Sequence, residues 1–157
     1  METKQVIVFR KDLLKGEHAI GKGKFAAQVA HASMGSLLKL FTKERCEYLR
    51  MGPYGEVEPK QFFTRYSLEF KDGTLLDNWL NESFTKIVVS VEGEKELLEL
   101  EKELQRLNEQ ESKLIPYALI TDNGKTVFHG VPTVTCLGIG PYVSEELDKI
   151  TGNLPLL

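Results

Sequence analysis

Short apolar runs alternate along the chain with longer segments of helical periodicity. The runs at 4–10, 84–92, 113–121 and 131–140 are rich in β-branched and apolar residues, and they predict four strands. The first run is continuously apolar from Val6 to Phe9, so we expect its strand to be buried on both faces, as in a sheet covered by helices. The pattern therefore predicts an α/β domain built of three layers.

Three helices are predicted between and after these strands. The first spans about 23–45, and Gly35 within it is expected to allow close packing. The second spans 94–111, where leucines recur every three or four residues and predict packing on the sheet. The third is predicted to begin at Ser144 as its N-cap and to end near Gly152.

The order of these elements predicts the topology of the sheet. Strands that alternate with helices favour a mostly parallel sheet, but the last two strands are joined too tightly for a crossover helix and should be antiparallel. Residues 46–74 interrupt the alternation with turn-forming residues, a strand-like stretch at 62–70, and a hairpin-turn signal at 71–73. We interpret 46–74 as an inserted surface segment of a single domain, 1–157, followed by a short helix or turn at 75–81.

Composition narrows the class of protein. A chain of 157 residues with 41% hydrophobic and 27% charged residues is expected to be soluble and globular, with one full core. No apolar run approaches the ~18 residues of a membrane span, and the start lacks the apolar region of a signal peptide, so we expect no membrane contact and a cytoplasmic location. Cys46 and Cys136 lack metal-ligand spacing and are interpreted as reduced thiols rather than a disulfide.

Charge is distributed unevenly along the chain. Residues 1–50 hold ten lysines and arginines against five acids, whereas residues 51–157 hold ten against eighteen. A ligand experiences the local potential rather than the net charge of −3, so the basic segment is compatible with an anionic ligand. Solvated faces of opposite charge would produce the same asymmetry.

The stretch 21–33 carries the first candidate chemistry. At about 100° per residue, Lys24, Gln28 and His31 fall on one face of the predicted helix, so a cation, an amide and an imidazole lie side by side. A solvated polar face is the alternative interpretation. Residues 16–22 also match part of a phosphate-binding loop, but a glycine follows where a hydroxyl would hold magnesium, which disfavours nucleotide hydrolysis. Lys22, at the helix N-terminus, still suits the phosphate of a nucleic acid.

A second candidate group follows the third strand. Asp122 precedes a turn at the carboxyl end of that strand, where α/β sheets bind ligands, although a turn aspartate is most often only a turn former. Thr126 and Thr135 are ordinary strand-end residues when taken alone. No carboxylate pair or His/Cys cluster predicts a metal site, and no Gly-x-Ser-x-Gly pattern predicts a serine nucleophile.

These motifs together resemble one family, the type 2 peptidyl-tRNA hydrolases of archaea and eukaryotes. The blocks occur in the family's order and cover roughly 1–45 and 75–157. Three features depart from the family pattern: segment 46–74 is longer than usual, Asn123 replaces a small residue, and 127–134 is one residue longer. The matching blocks are Lys22-Gly-Lys24, Ala26-Ala-Gln28, His31-Ala32, Thr121-Asp122-x-Gly124-x-Thr126, Thr135-x-Leu137-Gly-Ile-Gly-Pro141 and Leu147-Asp-Lys-Ile-Thr-Gly-Asn-Leu154.

The resemblance implies a four-stranded mixed sheet between helices, no cofactor and often a homodimer. It also implies hydrolysis of the ester that links a peptide to the terminal ribose of tRNA. We hypothesise that Asp122 orients or deprotonates the water and that Lys24 stabilises the oxyanion, while Thr126 and Gln28 hold the substrate. The family's functional lysine, glutamine, aspartate and threonine fall on Lys24, Gln28, Asp122 and Thr126, with His31 and Thr135 in or near the same cleft. The resemblance therefore implies catalytic roles for Lys24, Asp122 and Thr126, and substrate-binding roles for Lys22, Gln28, His31 and Thr135.

Several lysines are candidates for contacts with the RNA backbone, and such contacts make binding fall steeply with salt. The aromatic side chains of 46–74 are interpreted as a local mini-core rather than a base-stacking platform. Two alternatives use the same scaffold: a non-catalytic tRNA-binding module, and a protein-interaction adaptor that uses the acidic helix 94–111 or the insertion. The candidate RNA-binding lysines are Lys11, Lys15, Lys22, Lys39 and Lys43.

Overall fold

The computed structural model describes residues 2–157, and its contacts divide the chain into two compact units. One unit combines residues up to 39 with residues 70–157, and the other consists of 40–69. The strands are β1 (Thr3–Arg10), β2 (Thr42–Tyr48), β3 (Gln61–Ser67), β4 (Lys86–Val91), β5 (Tyr117–Asp122) and β6 (Thr133–Val143). The helices are α1 (Lys22–Leu38), α2 (Leu75–Asn78), α3 (Glu94–Glu111) and α4 (Ser144–Thr151), with a 3-10 turn at Lys11–Leu14 and a π turn at Trp79–Ser83.

The larger unit is organised around a four-stranded sheet in the order β4-β1-β6-β5. β1 and β4 are parallel, whereas β6 is antiparallel to both of its neighbours, β1 and β5. This confirms the predicted mixed sheet and the antiparallel pairing of the last two strands. The expectation of a mostly parallel sheet is wrong, because only the β1–β4 pair is parallel. β6 lies between β5 and β1 and is antiparallel to both.

The sheet is covered on both faces, which confirms the three-layer α/β class. Ile7 and Phe9 of β1 pack with Ala32 of α1 on one face. Val6 and Val8 pack on the other face with Leu97 and Leu104 of α3 and with Leu147 of α4. Because successive side chains of a strand point to opposite faces, a strand between two helical layers is apolar at every position.

Helix α1 is fixed over the sheet by two contacts. The buried amide of Gln5 donates to the Ser33 carbonyl and the Ser36 hydroxyl, both at 3.0 Å, and the Ser33 hydroxyl donates back to Gln5 at 2.6 Å. At Gly138 of β6, an added Cβ would lie 2.1 Å from the Ala32 carbonyl oxygen. The helix backbone therefore rests directly on the central strand, and this contact sets the position of every side chain along α1.

Several predicted boundaries differ from the structure. α1 ends at Leu38 rather than near residue 45, because Thr42–Tyr48 instead forms a strand that pairs with Gln61–Ser67. β5 begins at Tyr117, and β6 begins only after Pro132, which has no amide hydrogen for the sheet. Gly35 does lie close to its neighbours, since a Cβ there would be 3.1 Å from the Ala118 Cβ.

Two predicted turns have different roles in the structure. Residues 71–74 form a turn that leads into α2, so the prediction of a hairpin there is wrong. Ser144 is the first residue of α4 rather than its N-cap. Its buried hydroxyl has no hydrogen-bond partner among residues 2–157, so it caps nothing within the described chain.

The smaller unit is a two-stranded antiparallel hairpin of β2 and β3, paired from Thr42 opposite Ser67 to Tyr48 opposite Gln61. Its side chains are mostly exposed: Phe62 is 54% and Tyr66 is 53% accessible. The interpretation of these aromatic residues as a mini-core is therefore wrong. No helix formed by residues 2–157 combines the length and the apolar character needed to cross a membrane.

Candidate active site

The candidate residues meet at one edge of the four-stranded sheet, where several strands and helix α1 begin or end. β1, β4 and β5 run the same way, so their carboxyl ends share one edge of the sheet. α1 follows β1 and begins at this edge with Lys24 in its first turn, and Asp122 is the last residue of β5. β6 runs in the opposite direction and starts at this edge, which brings Thr135 to it.

A lysine–aspartate pair forms the centre of the site. The Lys24 ammonium donates to Asp122 Oδ2 at 2.5 Å and to the Thr126 hydroxyl at 3.0 Å. The same ammonium lies 5.6 Å from the centre of the Phe128 ring. The side chains of Lys24 and Asp122 are 18% and 12% exposed, so the pair is partly shielded but still open to solvent.

Two further donors hold the Asp122 carboxylate. The Gln28 amide donates to Oδ2 at 2.9 Å, and the backbone amide of Gly124 donates to Oδ1 at 2.8 Å. Gly124 has φ +75°, and an added Cβ there would lie 2.5 Å from the Val131 carbonyl oxygen, so this turn requires glycine. A carboxylate accepts about four hydrogen bonds. With Lys24 and Gln28 on Oδ2 and Gly124 on Oδ1, residues 2–157 leave one acceptor position unfilled, on Oδ1.

Two residues of β6 contact Gln28 and orient its side chain. The buried Thr135 hydroxyl donates to Gln28 Oε1 at 2.6 Å, and the Cys136 thiol lies 3.3 Å from the Gln28 carbonyl oxygen. Gln28 itself is almost fully buried. Because the amide oxygen is occupied by Thr135, the amide nitrogen is left to donate to Asp122.

The surroundings of Asp122 and Cys136 shift the pKa of each group and so set its protonation state at neutral pH. The hydrogen bond from Lys24 is the main cause that holds the pKa of Asp122 below its usual value, and the Gly124 amide and Gln28 act in the same direction against partial burial. Asp122 is therefore a carboxylate at neutral pH and a weak base, which suits it to orient a water molecule. Burial raises the pKa of the Cys136 thiol to about 11, so this thiol is protonated at neutral pH.

Five of the predicted site residues form one connected network, namely Lys24, Gln28, Asp122, Thr126 and Thr135. His31 lies further along α1, is exposed, and makes no side-chain hydrogen bond to residues 2–157. Lys22 is the exposed first residue of α1 and forms no ion pair within the described chain.

The other basic candidates lie in different places. Lys11 pairs with Glu92 at 3.0 Å, while Lys15 is exposed in the loop before α1. Lys39 lies just beyond the carboxyl end of α1, about 20 Å from Lys24 along the helix axis. Lys43 belongs to β2 of the smaller unit. The larger unit thus places Lys15 and Lys22, rather than Lys39, at the end of α1 that carries Lys24.

Sequence reasoning missed two contributors to the site. The Gly124 amide binds Asp122, and the Asp-x-Gly spacing is a signal that could have identified it, because an aspartate often accepts from the amide two residues on. Phe128 lies in an irregular loop, and no periodic pattern identifies it as a neighbour of Lys24.

Comparison with known proteins gives one family. A family model described as peptidyl-tRNA hydrolase PTH2 matches residues 3–157. Relatives named peptidyl-tRNA hydrolase include one from Methanopyrus kandleri, 37% identical over 154 residues that cover 98% of this chain and 97% of the relative. One from Sulfurisphaera tokodaii is 36% identical over 157 residues and covers both chains fully. One from Saccharolobus solfataricus is 32% identical and covers 98% of each chain.

Proposed function

The chain belongs to the peptidyl-tRNA hydrolase PTH2 family, and we propose that it hydrolyses the ester bond between peptide and tRNA in peptidyl-tRNA, which returns tRNA to translation. The observation that carries this proposal is the contact between Lys24 and Asp122. Each partner keeps one unused hydrogen-bonding position: an ammonium has three donors, of which Lys24 uses two, and Asp122 retains one acceptor. A donor and an acceptor side by side suit an ester carbonyl and an attacking water.

The reaction then proceeds by addition of water to the ester carbonyl carbon. Asp122 accepts a hydrogen bond from the water at Oδ1 and orients it, and the third N–H of Lys24 stabilises the oxygen that becomes negative. The carbon–oxygen bond to the ribose breaks as the intermediate collapses. One water proton ends on the ribose hydroxyl, and the other is released when the new peptide carboxyl ionises.

The remaining groups hold the substrate or the catalytic residues. Thr126 is exposed, and its hydroxyl hydrogen is not used within residues 2–157, so it is available to substrate. Gln28 is almost fully buried, and we assign it to substrate binding only through the second hydrogen of the amide group that already reaches Asp122. Thr135 is buried, so it acts through Gln28 rather than by direct contact with substrate. Lys22 and His31 are exposed on α1, and we assign them to substrate binding, with Lys22 facing a phosphate.

Further parts of the proposal rest on the family match alone. We propose that the chain acts as a single domain, 1–157, with about 46–74 as an insertion, and that it needs no cofactor. It binds tRNA, works as a homodimer and resides in the cytoplasm. A non-catalytic binding module or a protein adaptor is not favoured, because the Lys24–Asp122 network is intact and the relatives are named as hydrolases.

The direct test is release of peptide from peptidyl-tRNA by the purified protein. The wild type should turn over, whereas Asp122→Asn and Lys24→Ala should each lower kcat by about 100-fold or more, since each removes a group that contacts the reacting atoms. Asp72→Asn is the matched control, because Asp72 is exposed and outside the network. Near-normal turnover in either site variant would remove that residue from the mechanism, and binding without turnover in the wild type would favour the non-catalytic module.

A further inference from the structure

The β2–β3 hairpin has two chemically different faces. Residues that lie opposite each other in an antiparallel pair share a face, and the faces alternate along each strand. We call the face that carries Lys43, Arg45, Glu47, Phe62, Thr64 and Tyr66 the Phe62 face. The opposite set, which we call the Phe63 face, consists of Glu44, Tyr48, Phe63 and Arg65.

On the Phe62 face, cations lie beside open aromatic rings. The Arg45 guanidinium lies 4.5 Å from the centre of the Phe62 ring, and the Lys43 ammonium lies 5.8 Å from that of Tyr66. Both rings are more than half exposed. Within residues 2–157, no carboxylate lies within 4.0 Å of the Lys43 ammonium or the Arg45 guanidinium. Glu47, the carboxylate of this face, is instead paired with Lys60 at 2.7 Å, so Lys43 and Arg45 have no ion-pair partner in the described chain.

On the Phe63 face, a cation lies near a carboxylate, and two aromatic rings are in contact with each other. Arg65 lies 4.0 Å from the Glu44 carboxylate across the hairpin. The rings of Tyr48 and Phe63 are in contact, with their centres 5.5 Å apart. The Arg65 guanidinium also lies 5.8 Å from the centre of the Phe63 ring, and Tyr48 is 60% exposed, so this face differs from the Phe62 face in its compensated charge and not in the exposure of its rings. The contrast shows that the open cations of the Phe62 face are not a general property of the hairpin.

We propose that the Phe62 face binds unpaired nucleotides of RNA. Unstacked bases pack on aromatic rings and on the planar guanidinium of arginine, while lysine and arginine attract the phosphates between them. A second copy of this chain is the competing occupant, because a symmetric contact could pair these cations with Glu47 of that copy, and the sedimentation measurement below distinguishes it from RNA. The inference rests on the proposed function in one respect only, namely that the RNA is that of peptidyl-tRNA.

Binding of a fluorescent, unpaired RNA oligonucleotide to the full chain tests the proposal. Replacing both rings of the Phe62 face (Phe62→Ala with Tyr66→Ala) should weaken binding at least about tenfold, because each base–ring stack contributes roughly that factor. The matched control, Tyr48→Ala with Phe63→Ala, removes two rings from the opposite face and should change affinity less than about twofold. Equal losses for the two pairs, or no binding by the wild type, would overturn the proposal.

A charge variant gives a second readout that does not depend on the aromatic packing. Arg45→Gln should reduce the slope of log affinity against log salt by about one, whereas Arg65→Gln should leave that slope nearly unchanged, since Arg65 is already paired with Glu44. Equal slopes in the two variants would contradict the assignment of Arg45 to a phosphate.

Measurements of turnover distinguish a failure of this inference from a failure of the proposed function. The Phe62→Ala, Tyr66→Ala variant should raise KM for peptidyl-tRNA and leave kcat unchanged, and it should hydrolyse a short acyl-aminoacyl nucleoside ester as the wild type does. If the wild type hydrolyses neither substrate, the proposed function fails while the RNA-binding comparison still decides the inference. If the variant instead changes the sedimentation of the protein and leaves RNA binding intact, a second copy occupies the face and the inference is wrong.

Discussion

The ionisation of Asp122 depends mainly on one neighbour. Because the hydrogen bond from Lys24 is the largest cause of its lowered pKa, Lys24→Ala should raise the pKa of Asp122 towards the ordinary value of ~3.9. An NMR titration of the carboxyl carbon measures this shift directly. Lys22→Ala, two residues away and outside the network, is the control and should leave the titration unchanged. An identical midpoint in wild type and Lys24→Ala would contradict the geometry of the pair.

The same shift predicts how stability depends on pH. A carboxyl group whose pKa is lower in the folded state stabilises the fold above the unfolded pKa of ~3.9, and this contribution is lost as pH falls through the lower folded value. The free energies of unfolding of wild type and Lys24→Ala should therefore converge in strong acid and differ most above about pH 4. Denaturant unfolding at a series of pH values tests the direction of the effect.

We expect Thr135 to act as a positioning residue, through its hydrogen bond to Gln28. Thr135→Val keeps the shape but leaves the Gln28 amide oxygen without its donor, which should destabilise the fold by roughly 1–3 kcal/mol and lower turnover. A merely structural role would leave the Asp122 titration alone, whereas loss of the Gln28 contact should raise the pKa of Asp122. Thr135→Ser should restore both properties, and failure of that rescue would argue against positioning.

At the scale of elements, the site depends on how closely α1 approaches β6. Gly138→Ala would place a methyl group where the Ala32 carbonyl oxygen lies, so the helix must shift or the strand must bend. We expect a loss of stability of about 3 kcal/mol or more and a loss of turnover, because Gln28 is one helical turn from Ala32. Gly23→Ala is the control, since a Cβ there meets nothing within 4 Å and alanine favours the helix. Thermal unfolding and turnover should separate the two variants.

Element types were predictable wherever the local pattern and the tertiary contacts agree. β1 is apolar from Val6 to Phe9 because helices cover both of its faces, and α3 shows its leucine stripe because only one of its faces is buried. The end of α1 was not predictable, because 39–45 has no strong helix-stopping residue and becomes a strand only through pairing with β3. The sequence of 39–45 does not itself indicate that β3, further along the chain, will pair with it.

The site itself was partly predictable for a similar reason. Lys24 and Gln28 share a helix face by periodicity, and the resemblance to a family supplied their pairing with Asp122 and Thr126. The hydrogen bond from Thr135 to Gln28 joins residues 107 positions apart, so no local pattern contains it. The sequence of an aromatic-rich hairpin is the same whether the folded protein buries or exposes its rings. Only the structure shows that Phe62 and Tyr66 are exposed.

At the scale of the whole molecule, we expect the edge of the sheet that carries Lys22 to bind the phosphates of a polyanionic substrate. KM for peptidyl-tRNA should rise steeply with salt, and Lys22→Gln should reduce the slope of its logarithm against log salt by about one. Lys102→Gln is the matched control, because Lys102 is exposed on α3, across the sheet from α1. Equal slopes for the two variants would show that Lys22 belongs to an ordinary solvated surface.

The central position of β6 determines the order in which the fold is completed during synthesis. β1 pairs with residues 136–143, so its inner edge has no partner until nearly the whole chain has emerged from the ribosome. A nascent chain that stops before 133 exposes that strand edge and lacks Thr135, whereas the hairpin of 40–69 has all its partners early. The strand that closes the sheet is thus also the strand that orients Gln28, so the network is complete only after Thr135 has emerged and β6 has paired.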